Sequence, residues 1–166
     1  MMVYDTTHLI ENKLSSLRDD FVVPSLVLEE IKGGKLKDYI DSIRDQIRVV
    51  NPDQKSLETV IRAAKETGDF DRMSLTDIHV VAVALMIGDA TVVSDDYAVQ
   101  NVCSHLHVKF SGVKIRTIRK EIVWKWRCTG CRKMFDEYVS RCPVCGHPTS
   151  RISVHTKDAL SGDSQR

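Results

Sequence analysis

Four cysteines constrain this chain more than any other feature: Cys128 and Cys131, then Cys142 and Cys145, two C-x-x-C pairs separated by ten residues. Two residues between thiols make a tight knuckle, and ten between knuckles leave room for a short hairpin. Four thiolates so spaced can surround one Zn²⁺ tetrahedrally. The knuckles, C-T-G-C-R-K and C-P-V-C-G-H, carry Gly and Pro where the backbone must bend around a metal. The segment reads as a zinc ribbon over about residues 124–155. Two disulfides are the alternative, but Met1 to Val3 is too short, and too soon followed by Asp5, for a secretory segment. A module this small folds only around its ion, so the zinc is first a structural device.

The 166 residues leave space for one ordinary domain ahead of the ribbon. The longest apolar run, Val80 to Ile87, is far short of the roughly 20 residues that span a bilayer, so no membrane partner and a cytoplasmic location are expected. The net charge of +1 conceals a division of the chain. Residues 1–106 carry 11 Lys/Arg against 18 Asp/Glu, a net of −7, and residues 107–166 carry 13 against 5, a net of +8. A basic half beside a zinc module suits a polyanion such as a nucleic acid, although a solvated surface or charge pairing between the halves is the bland alternative.

Strand and helix signals alternate along the acidic half. Met2-Val3-Tyr4, Phe21-Val22-Val23, Arg48-Val49-Val50, Thr91 to Ser94 and His107 to Phe110 read as strands. Helices are expected after Asp5-Thr6-Thr7 and after Pro24-Ser25, over about Lys35 to Gln46, from about Leu57 to a stop at Gly68, and from Tyr97 to Leu106. Thr76 to Ile87 is apolar on every face, which marks a helix buried mid-domain. This order implies a parallel α/β sheet with helices on both faces and a crevice at the carboxyl ends of the strands. No G-x-G-x-x-G or Walker sequence follows a strand, so no nucleotide cofactor is expected. The expected divisions are a domain over 1–110, a basic connector over 111–123, either extended or a pair of strands, the ribbon, and a disordered tail over 156–166.

Acidic residues collect where the strands end. Asp5 follows the first strand, Glu30 lies in the helix after the second, Asp77 opens the buried helix, and Asp95-Asp96 follow the Thr91–Ser94 strand. Carboxylates gathered there would raise one another's pKa unless a hard cation such as Mg²⁺ or Mn²⁺ sat among them. Such a cation can activate water against a phosphodiester. Each acid also has a purely structural reading: Asp5 as a helix cap, Glu30 as a solvated residue, Ser74-x-x-Asp77 as a capping box, Asp95-Asp96 as a turn. Thr6 or Ser94 could hydrogen-bond an acid or a scissile phosphate, or be only a cap, Trp126 either packs the ribbon or stacks on a base, and Cys103 reads as a buried thiol. Gln100 and Asn101 have no assignable role as polar helix residues.

D-T-T after the first strand, V-L-E-E-I, T-D-I-H-V-V-A-V-A-L and V-S-D-D-Y resemble the ordered acidic motifs of PIN-domain ribonucleases. S-D-D-Y-A-V-Q-N-V, followed by W-K-W-R-C entering the four-cysteine ribbon, is similar to the archaeal form of the endonuclease that matures the 3′ end of small-subunit ribosomal RNA. That resemblance implies Asp5, Glu30, Asp77 and Asp96 as catalytic ligands of Mg²⁺ or Mn²⁺, with Asp95 the alternative to Asp96. It further implies hydrolysis leaving a 3′-hydroxyl and a 5′-phosphate, precursor rRNA and the assembling small subunit as partners, and a ribbon that helps bind RNA. Two competitors keep part of the pattern: a toxin-type PIN ribonuclease, and a non-catalytic RNA-binding assembly factor.

Overall fold

A computed structural model describes residues 1–6, 9, 20–114 and 117–158. Thr7, the body of the first expected helix, connector residues Ile115 and Arg116, and the tail over 159–166 lie outside the described residues. Strands β1 (Met2–Tyr4), β2 (Phe21–Val22), β3 (Thr91–Val93) and β4 (Lys109–Ser111) form one sheet in the order β2-β1-β3-β4. Every pair is parallel, with Val3 opposite Val92 and Tyr4 opposite Val93. The strands are short and Val-rich because they are covered: Val3, Val22, Val92 and Val93 are all buried. The expected Arg48–Val50 strand reduces to a single parallel bridge between Val49 and Val23, at a sheet edge where one bridge suffices before Asn51-Pro52 turns the chain.

Five helices are fully described: α1 (Ser25–Glu30), α2 (Lys35–Ser42), α3 (Gln54–Thr67), α4 (Leu75–Ile87) and α5 (Tyr97–His105). The expected Lys35–Gln46 helix breaks after Ser42 into a separate 3₁₀ turn, Arg44–Gln46. Helix α4 is the centre of the domain: Val80 to Ala84 are buried without interruption, and the helix packs on β1 and β3. Asp53 caps α3 by accepting the Ser56 N–H at 2.7 Å, and Gly68 ends it in the left-handed region at φ 75°.

The second sheet is antiparallel, in the order β6-β5-β7, from β5 (Lys120–Cys128), β6 (Met134–Phe135) and β7 (Thr149–Asp158). It is longer than the expected 124–155. The connector becomes one strand from Lys120, and residues 156–158 pair with it instead of beginning a tail. A polar segment without periodicity takes its structure here from a cross-strand partner 34 to 38 residues earlier, which no local pattern reports.

This sheet is clamped onto the first domain through buried polar groups. Arg151 of β7 donates to Asp69 and, at 2.9 Å, to the Gly68 carbonyl, while its guanidinium lies 4.3 Å from the Trp124 ring. Asn101 of α5 donates to Asp69 at 2.6 Å and to the Ile122 carbonyl at 2.7 Å, and accepts the Ile122 N–H at 2.8 Å. His105 sits between Glu121 at 2.9 Å and Glu66 at 3.0 Å. A Cβ at Gly68 would meet the Trp124 carbonyl oxygen at 2.4 Å, so this glycine both ends α3 and admits the strand.

Candidate active site

Parallel pairing of β1 with β3 places their carboxyl ends side by side, and so brings Asp5 next to the Ser94–Asp96 turn. The last residue of α1, Glu30, and the third residue of α4, Asp77, approach the same point. Asp5, Thr6, Glu30, Ser74, Asp77, Asp95 and Asp96 line one open cavity of about 450 Å³. All four acids expected from the sequence, and the Asp95 alternative, therefore share one space.

Small hydroxyl residues fix these acids. Ser94 donates to Asp5 Oδ2 at 2.9 Å and accepts the Asp96 N–H at 3.1 Å. Thr6 donates to Glu30 Oε2 at 2.5 Å. Ser74 and Asp77 complete the capping box: the Ser74 N–H donates to Asp77 Oδ2 at 2.6 Å, and Ser74 Oγ accepts the Asp77 N–H at 3.1 Å. Asp96 caps α5 through Oδ1, which accepts from Ala98 at 2.6 Å and Val99 at 3.4 Å. The capping-box reading of Asp77 is thus correct, and Asp96, expected only in a turn, also caps a helix; yet each carboxylate has a second oxygen, and both residues line the cavity. Asp95 differs: its oxygens accept the Val113 N–H at 2.7 Å and the Lys114 N–H at 3.1 Å, tying it to the connector.

The electrostatics are those of crowded, partly desolvated acids. Asp5 is only 7% exposed. Burial pushes its carboxyl up from 3.8 to about 6, against the lowering hydrogen bond from Ser94 and with added repulsion from Asp77 and Asp96. Burial likewise raises Asp77, opposed by its bonds to Ser74 and reinforced by Asp96 and Glu30. This donor set fits a hard divalent cation: oxygen ligands only, mutually repelling, in a space open enough for water and phosphate oxygens to complete the coordination. Elsewhere His79 is pushed down by burial, against the raising effect of Glu29, and its Nδ1 is buried without a partner. It pairs with no nucleophile among the described residues.

The ribbon cysteines form a second centre. Their Sγ atoms all lie within 4.8 Å of one another, and they are the only group of three or more His, Cys, Asp or Glu donors among the described residues drawn that close. Cys128 and Cys145 sulfurs are 3.3 Å apart and Cys131 and Cys142 3.6 Å, too far for disulfides. Those separations approach the tetrahedron edge of about 3.8 Å set by four Zn–S bonds. The Gly130 N–H points at Cys128 Sγ at 3.3 Å, and a Cβ there would meet the His147 ring at 2.7 Å. Trp126 packs edge-on to Tyr138 with centroids 4.6 Å apart, favouring its structural reading, and Cys103 is fully buried.

Sequence reasoning gave no role to Asp69, Gln100, Asn101 or Arg151, all of which bridge the two sheets or the connector. Their bridging partners lie 18 to 83 residues away, and the one available signal was the Q-N pair within the resemblance.

Comparison with known proteins agrees with this geometry. A family model described as the PIN domain of ribonuclease matches residues 2–87. The chain is 45% identical over 149 residues to Ribonuclease VapC1 of Thermoplasma acidophilum, covering 90% of this chain and 76% of the relative. It is 32% identical over 151 residues to Endoribonuclease Nob1 of Methanothermobacter thermautotrophicus, covering 87% and 88% respectively. With Endoribonuclease Nob1 of Pyrococcus abyssi the identity is 37% over 130 residues, 76% of this chain and 80% of the relative. Among the described residues no helix is long and apolar enough to cross a membrane. The family model spans the first half of the chain and relatives named as ribonucleases align over most of it: the chain belongs to the PIN-domain ribonucleases and is an endoribonuclease.

Proposed function

We propose that this endoribonuclease cleaves precursor small-subunit ribosomal RNA at its 3′ end, in the cytoplasm and on the assembling subunit, leaving a 3′-hydroxyl and a 5′-phosphate. The observation that carries the reading is the ribbon sheet, built onto the nuclease domain by the Asp69–Arg151–Asn101 network and not merely tethered to it. A basic surface held in one orientation to the acids can bind RNA in a defined register, which a single maturation cut requires. Relatives named Endoribonuclease Nob1 align over most of the chain, as the resemblance in the acidic motifs implies.

Asp5, Glu30, Asp77 and Asp96 would hold Mg²⁺ or Mn²⁺, and the four cysteines a structural Zn²⁺. A divalent ion among the acids supplies an acidified water for in-line attack and positive charge for the phosphodiester. The protein's own part is positional: Ser94 holds Asp5, Thr6 holds Glu30, and Ser74 holds Asp77, so each carboxylate meets its ligand already oriented. Asp96 is the fourth acid in preference to Asp95, whose oxygens are engaged by the connector N–H groups.

A toxin-type reading is favoured by the 45% identical relative named Ribonuclease VapC1. One experiment separates the two. The zinc-loaded protein and its Asp5→Asn variant are incubated with RNA spanning the small-subunit 3′ end and with total cellular RNA, with Mn²⁺, Mg²⁺ or neither. A single metal-dependent cut at the mature end, absent in the variant, supports maturation. Cuts scattered through other RNAs, with the 3′ end spared, would move the assignment to a toxin-type nuclease. Tight binding without cleavage in either metal would favour the assembly-factor reading.

A further inference from the structure

We infer that Gln100 is a positioning residue of the nuclease site, through which docking of the connector is transmitted to Asp5. Gln100 is 0% exposed, and a buried primary amide must have its hydrogen bonds satisfied. Its Nε2 donates to the Ser94 carbonyl at 2.9 Å, and its Oε1 accepts the Ile118 N–H of the connector at 2.9 Å. Ser94 is thereby gripped at three points: its N–H donates to the Ser111 carbonyl at 3.1 Å, its carbonyl accepts from Gln100, and its Oγ donates to Asp5 at 2.9 Å. Ser94 Oγ also receives the Asp96 N–H at 3.1 Å, so one serine orients two of the four acids. The neighbouring Asn101 binds the connector strand at Ile122, four residues on, and carries no bond to Ser94. The two adjacent amides thus divide the work: Asn101 seats the strand, and Gln100 links its approach to the turn that holds Asp5. The inference rests on Asp5 and Asp96 as metal-binding acids. It adds that the nuclease site is complete only with the connector in place.

The test uses the full, zinc-loaded chain with Gln100→Met, which keeps the volume and removes both hydrogen bonds, alone and combined with Ser94→Ala. Mn²⁺ affinity is titrated calorimetrically, and cleavage of a single-stranded RNA is resolved into kcat and KM. Loss of an orienting partner of this kind costs about 10–100-fold in metal affinity or activity. The expected result is a fall of that size in Mn²⁺ affinity and in kcat, with KM within about two-fold. Gln100→Met should add nothing once Ser94 is Ala, because the two act in series. Wild-type Mn²⁺ affinity in Gln100→Met, or independent, multiplicative effects of the two substitutions, would overturn the inference. Ile118→Pro deletes the connector N–H without touching α5 and must reproduce the defect; if it binds Mn²⁺ normally while folded, the inference also fails. Because Mn²⁺ binding is read apart from cleavage, a wild-type protein that binds the ion but leaves the RNA uncut would count against the proposed substrate and not against Gln100.

Discussion

Replacing Asp5 by Asn tests the electrostatics of the site through stability, before any RNA is added. Burial and the neighbouring Asp77 and Asp96 raise its carboxyl from 3.8 to about 6. The folded protein therefore holds this proton more tightly than the unfolded chain does, and ionisation costs folding free energy. The cost is absent well below 3.8, grows as pH rises, and levels off above about 6. The difference between the two values corresponds to about 3 kcal/mol at pH 7.5 and about half of that at pH 5. Asparagine keeps the shape of the side chain and a partner for Ser94 Oγ while removing the charge. Asp5→Asn should thus abolish cleavage and yet be more stable than wild type by those amounts. The assay is urea unfolding of both zinc-loaded proteins at the two pH values, in buffer freed of Mg²⁺ and Mn²⁺ without a chelator that would also strip the ribbon. Adding Mn²⁺ should then narrow the gap, since an ion that binds only the folded wild type stabilises it by mass action. Equal stabilities at pH 7.5, or a gap that does not change with pH, would refute the reasoning.

Three further outcomes follow from the geometry. Chelating the zinc, or Cys142→Ser, should melt the β5–β7 sheet and expose Trp124 and Trp126, seen as a red shift in fluorescence; unchanged emission would show that the sheet stands without its ion. Arg151→Ala leaves Asp69, 2% exposed, without its cation and should cost about 3–5 kcal/mol in urea unfolding, whereas a loss under about 1 kcal/mol would mean the clamp is not a true buried pair. Asp96→Asn should lower cleavage at least about 100-fold and Asp95→Asn only a few-fold; the reverse order would exchange their roles.

Much of this protein could be read from local pattern. The cysteine spacing located the ribbon, uninterrupted apolar residues over Val80–Ala84 marked the central helix, and Asp5, Glu30, Asp77 and Asp95-Asp96 stood at the expected element ends. These features are local because knuckles, caps and helical faces are set by residues within a turn or two of one another. Boundaries slipped where the deciding partner was distant, as when the Arg48–Val50 strand shrank to one bridge and the supposed tail through residue 158 joined β7.

The resemblance favoured Asp96 over Asp95, but what engages each carboxylate was out of reach of the sequence. Adjacent residues on a turn point in different directions, and only the arrival of the connector N–H groups of Val113 and Lys114 shows which carboxylate is engaged there. The same holds for Gln100 and Asn101, polar helix residues with no assignable role until the connector at Ile118 and the strand at Ile122 close over them. The sequence by itself determined which chemical groups are present and which local turns and helices hold them. Tertiary structure alone decided which acids share a cavity and which buried amides join the two sheets, because hydrogen bonds across long loops leave no periodic trace in the chain.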